Sequence, residues 1–227
     1  PLPAAPAQTG AAILAGAGTI ISSDGGLTAY STSEVAIGSD GAITRITPNA
    51  STTFLYGAPG VLREKGRVGD TIGWSRWDGG AASPSTNPNV HILTGAPATA
   101  LPASGKVDYR LIGGTAPTDL YSADGSAGSF SGELAVLFGS VVRVGFDFSV
   151  SEGAQGWRIA TAGGAADPAN GGLVPQLDRT FGAQLTPAPL NAATCTTNCT
   201  ATVFGRLFGS GASHVGLGYQ ISDLSGS

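Results

Sequence analysis

Trp74, Arg76 and Trp77, within Gly73-Trp74-Ser75-Arg76-Trp77-Asp78, are the residues whose types and spacing best suit recognition. Side chains alternate between the faces of a strand, so Trp74 and Arg76 share one face and Trp77 takes the other. An indole beside a guanidinium can receive a planar ring or a sugar. The same indole serves equally well as a plug of the core. His91 stands between Val90 and Ile92, where an imidazole acts either as a haem ligand or as an internal hydrogen-bonding group. No second axial ligand lies nearby, and no cofactor is expected.

Other chemistries fit the sequence less well. Gly128-Ser129-Phe130-Ser131-Gly132 puts phenylalanine where a nucleophile elbow requires serine. His214, beside Ser210 and Ser213, reads as a strand-surface histidine. Asp108, Asp119, Asp124, Glu133, Asp147 and Glu152 are spaced as on strand faces and turns; glycan hydrolysis across Glu133 or Asp147 is the form an enzymatic reading takes. Asp119 and Asp124-Gly125 lack the acidic repeat of a calcium loop. Gly16-Ala17-Gly18 lacks the third glycine, preceding strand and following helix of a dinucleotide loop, and reads as a flexible lead-in. The expectation is a chain that is not an enzyme.

Cys195 and Cys199, the two cysteines, lie four apart in a polar stretch. A local disulfide is the leading reading, and it implies an oxidising, exported setting. Zinc needs two further ligands, and His91 and His214 lack the spacing of a metal motif, so no metal site is expected.

The elements that must position these residues are strands. Val107, Tyr109 and Leu111 alternate with Lys106, Asp108 and Arg110, which predicts a strand with one buried face. Leu134, Val136 and Phe138, the turn Gly139-Ser140, then Val142, Val144, Phe146 and Phe148 predict a hairpin. Further strands are expected over 72–77, 90–93, 156–160, 179–185, 201–208 and 214–221. Residues 1–12 read as a Pro/Ala-rich lead-in and 13–227 as one domain, with 13–60 an irregular β segment or accessory sheet. The fold expected is all-β: an antiparallel meander closing into a roughly eight-stranded barrel, with a sandwich as the second choice. Residues 79–89 and 163–178 read as long polar loops able to carry function.

Composition agrees. Charged residues are 11% of the chain and glycine supplies 36 of its 227 residues, which favours turns and short strands over helices. The net charge of -4 is scattered, with no basic stripe for nucleic acid. No run suits a membrane helix, so membrane association would require an anchor upstream of Pro1.

Gly73-Trp74-Ser75-Arg76-Trp77-Asp78-Gly79-Gly80, His91-Ile92-Leu93-Thr94-Gly95 and Tyr109 to Thr118 resemble the β-barrel region of proteobacterial envelope proteins linked to FecR-type domains. Val203 to Gly209, followed by Ser213 to Tyr219, is similar to the closing hairpin of transferrin-binding-protein-B-like surface lipoproteins. The resemblance spans roughly residues 70–222 and implies an eight-stranded barrel in the cell envelope. Gly211-Ala212-Ser213 departs from that family's usual asparagine-alanine step, and transferrin or complement binding is not carried over. The functional expectation is an exported, envelope-exposed binding module presenting loops to a protein, glycan or small solute. The alternative is a carrier of a small apolar ligand, haem or lipid, inside the barrel.

Overall fold

The computed structural model describes residues 11–16, 28–31, 35–37, 43–49, 52–55, 61–69, 71–78, 89–118, 128–177, 179–190 and 199–223. It is all-β, as the alternation and glycine content require. The first eight strands are β1 (Ala11–Gly16), β2 (Thr28–Ser31), β3 (Val35–Ile37), β4 (Ile43–Asn49), β5 (Thr52–Leu55), β6 (Val61–Val68), β7 (Ile72–Asp78) and β8 (Asn89–Gly95). The second eight are β9 (Gly105–Tyr109), β10 (Ser129–Phe138), β11 (Arg143–Glu152), β12 (Gln155–Ala160), β13 (Thr180–Leu185), β14 (Ala188–Pro189), β15 (Cys199–Phe208) and β16 (His214–Asp223). A single 3-10 turn, Ser210–Ala212, joins the last two.

Among the described residues four antiparallel sheets result, ordered β2-β1-β8-β7-β6, β14-β12-β11-β10-β9, β13-β15-β16 and β3-β4-β5. Among the described residues no sheet closes on itself into a barrel. The meander holds from β9 to β12, but β12 then pairs with β14, while β13 crosses to the other side and pairs with β15. The core lies between these two C-terminal sheets. Leu134, Val136 and Phe138 of β10 and Val144, Phe146 and Phe148 of β11 meet Val203 and Leu207 of β15 and Ile221 of β16. Six of these come from the predicted hairpin, whose alternation therefore reads correctly.

Two expectations are corrected. Ala11 and Ala12 are not part of a lead-in: they open β1, which is inserted between β2 and β8 in antiparallel register. Val107 and Leu111 are not buried, being 38% and 54% exposed, because β9 is an edge strand with one neighbour and ends at Tyr109. Residues 163–177 are a loop, as expected, made of turns and irregular backbone. They fold back on β11 through paired Val144 and Leu173 backbones, with Ala165, Pro168 and Gly172 buried. The predicted loop over 79–88 and residue 178 lie outside the described residues.

The N-terminal five-stranded sheet is joined to the C-terminal pair through residues 96–98. The amide of Gly209 donates to Ala96 and the amide of Ala98 to Leu207, both at 2.9 Å. Gly216 of β16 sits where any side chain would strike Leu93, Ile72 and Phe208, so the last strand lies directly on β7 and β8.

Candidate functional site

Strand pairing places Glu64, Arg76 and His91 side by side on β6, β7 and β8: Glu64 is opposite Arg76, and Arg76 is opposite His91. Two residues along the same face come Gly66, Trp74 and Leu93, again in register. This face is crossed by the segment 110–118, which follows β9 without regular secondary structure.

The polar row holds that segment down. Arg76 donates from Nε to Glu64 Oε1 at 2.7 Å, and its Nη2 lies 2.6 Å from the same oxygen. The other carboxylate oxygen, Oε2, accepts the amide of Ala116 at 2.8 Å. His91 meets Thr115 Oγ1 at 2.6 Å through Nδ1 and Thr118 Oγ1 at 2.8 Å through Nε2. Burial, and then the Arg76 cation, push the His91 pKa down to about 3, so its imidazole is neutral at neutral pH. A neutral ring donates through one nitrogen and accepts through the other, and a hydroxyl satisfies either role.

The indole of Trp74 occupies the space that side chains at both Gly66 and Gly113 would need. Glycine is required at both places by this close approach. The indole is thus held between its own sheet and the crossing segment.

Beneath and beside the segment lies a cavity of 180 Å³. Ile72, Trp74, His91 and Leu93 form its floor, and residues 110–118 roof it, with Leu111 and Ile112 themselves 54% and 59% exposed. Phe130, Leu134 and Phe148 from β10 and β11 and residues 215–219 of β16 complete the wall. Its aromatic side is ordered: the Phe130 ring is 5.5 Å from Tyr219 and nearly parallel to it, and 5.1 Å from Phe148 in a tilted pair. Burial, and then Glu152, push the Tyr219 pKa up. Tyr109 donates its hydroxyl to the Ala212 carbonyl at 2.6 Å, tying β9 to the turn before β16, and burial raises its pKa to about 12.

Of the residues singled out in the sequence, Trp74 and His91 come together at this cavity. Arg76 shares the face but is not a wall of the cavity, because Glu64 engages its guanidinium. The backbone of Trp77 pairs with Leu62 and Val90, and its side chain lies outside what is described. Cys199 opens β15, is buried and is not a free thiol; Cys195 lies outside the described residues. The residues that reading by type missed are Glu64, Thr115 and Thr118, and the ring-bearing wall of Tyr109, Phe130 and Tyr219.

The alternative chemistries find little geometry. Glu133 and Asp147 are opposite each other on the outer face of β10 and β11, and Arg158 engages Asp147, with Nε 2.8 Å from Oδ1. That hydrogen bond lowers the Asp147 pKa. His214 Nδ1 is 3.0 Å from Ser213 Oγ, on the strand edge rather than in a cleft. Among the described residues there is no group of three His, Cys, Asp or Glu able to hold a metal ion. No helix among them is long and apolar enough to cross a membrane. Compared with known protein families and with curated proteins, the sequence matches none.

Proposed function

We propose that this chain is a non-catalytic binding module of the cell envelope that takes a small solute in the cavity between β7, β8, β10, β16 and residues 110–118. The observation that carries this reading is the cavity itself: concave, largely apolar and built from segments far apart in sequence. The neutral, doubly engaged His91 favours a structural role over a base, and the Arg158 contact does the same for Asp147.

The envelope location rests on the resemblance of residues 70–222 to surface proteins and on the expected Cys195–Cys199 bond. We read the eight strands from β9 to β16, in sheets of five and three, as an incompletely closed barrel, a reading supported by the hydrogen bond from Tyr109 to Ala212, which ties the β9 edge to the turn before β16. Proteins or glycans engaging the rim are its further partners; nucleic acid is not.

Native mass spectrometry with an absorption spectrum, on protein isolated undenatured from its host, tests the assignment. A small organic mass released on unfolding is the expected result. A bare mass, joined to the absence of any thermal shift with a library of small solutes, would reject the cavity as the site.

A further inference from the structure

The size, charge and lining of the cavity narrow what it accepts. Its 180 Å³ slightly exceeds the about 150 Å³ that accommodates benzene in an engineered apolar cavity, and falls short of the roughly 300–1,000 Å³ of sites for larger ligands. One ring with a short substituent fits; a porphyrin or a long acyl chain does not.

Among the described residues no carboxylate or ammonium faces the interior. Arg110 is exposed at the rim, and Arg76, nearby in the sheet, is occupied by Glu64. Both nitrogens of His91 are engaged. An ion brought inside would lose water without gaining a partner, which is strongly unfavourable. The hydroxyls of Thr115 and Thr118 retain hydrogen-bonding capacity beyond their contacts with His91, so one neutral polar substituent can be met.

Five of the side chains lining the space carry aromatic rings besides the imidazole: Trp74, Tyr109, Phe130, Phe148 and Tyr219. Phe130 and Tyr219 are already stacked, and Phe148 tilts against Phe130. A planar ring adds to such an array in stacked or edge-on geometry, and gains more than an aliphatic group of equal area.

We infer that the ligand of this cavity is an uncharged molecule built on a single aromatic ring, with a phenol or a small aryl alcohol as its simplest form. This inference rests on the cavity being the binding site, as proposed above.

The experiment is calorimetric titration of the full chain with p-cresol, 4-methylcyclohexanol, p-toluate and decanoate. p-Cresol is expected to bind at one site, about tenfold more tightly than 4-methylcyclohexanol, which has the same skeleton without the aromatic ring. p-Toluate is expected to bind more weakly than p-cresol. Leu217→Phe, which fills the cavity from β16, should weaken p-cresol binding at least tenfold, and Leu111→Trp from the crossing segment provides the same test if the first variant does not fold. Equal affinity for 4-methylcyclohexanol, or tighter binding of p-toluate, overturns the inference. Binding of decanoate without p-cresol also overturns it but leaves the cavity as the site. If none of the four binds, both readings fail.

Discussion

Gly113 passes so close to the indole of Trp74 that a single added methyl group would overlap the ring. Because Gly66 presses on the same indole from the sheet, the ring has no room to retreat. Gly113→Ala is therefore expected to lift residues 110–118 off the sheet and to cost about 1–3 kcal/mol, the usual effect of overpacking. Gly114→Ala, whose added methyl meets open space, is the control and should melt within about 0.5 kcal/mol of the parent. Urea unfolding of the two variants checks the difference.

His91 makes stability depend on pH with a definite sign. Its folded pKa of about 3 lies below the ordinary 6.5, so the unfolded chain takes up a proton that the folded chain refuses. Above pH 6.5 neither state binds it and stability is intact. As pH falls from 6.5 toward 3, this group removes up to about 1.4 kcal/mol per pH unit. His91→Gln should flatten that slope while losing stability at pH 7, and urea melts at several pH values measure both. An unchanged slope in the variant would sink the account.

Glu64 couples a cation to the crossing segment. Glu64→Ala leaves Arg76, which is 7% exposed, without its carboxylate and Ala116 without an acceptor; the cost is expected at about 2–3 kcal/mol. Glu64→Ala combined with Arg76→Met should cost less than the sum of the two single changes, since no buried charge is then stranded. Hydrogen exchange should rise over residues 112–118 in the single variant and stay unchanged in β10 and β11.

Cys199 is expected to be bonded to Cys195, with the intact chain two hydrogens lighter than its reduced form. Reduction should change the melting temperature little, because the loop between them is short and its closure constrains the unfolded chain less than the about 3 kcal/mol of a 15-residue loop. A large fall on reduction would mean that the bond anchors more than the start of β15.

Much of the C-terminal half was legible in the sequence. Leu134, Val136 and Phe138, then Val144, Phe146 and Phe148, alternate so regularly that face, turn and partner follow from period alone. β6 was not legible, since Arg63, Glu64, Lys65 and Arg67 crowd it with charge; only pairing with Arg76 explains why Glu64 belongs there. At the site, Trp74 and His91 stood out by type. Thr115 and Thr118 did not, because a threonine in an irregular segment becomes informative only once His91 is opposite it. Gly113-Gly114 before them was the one available signal, marking a place where backbone must approach something closely. Alternation could not foresee that β9 has a single neighbour, and it therefore buried Val107 and Leu111 wrongly. The crossing of β13 away from β12 is likewise a matter of how layers stack, which periodicity does not encode.

The seat of Gly216 on Ile72 and Leu93 sets an order of events during synthesis. The chain makes β7 and β8 well over a hundred residues before β16, so the apolar face carrying Ile72 and Leu93 lacks its native contact with Gly216 until β16 has emerged. A nascent chain arrested before β16 would present that face to chaperones, proteases or other nascent copies. The arrival of β16 thus bears on strands made long before it, and its loss should destabilise β7 and β8 as well as its partner β15.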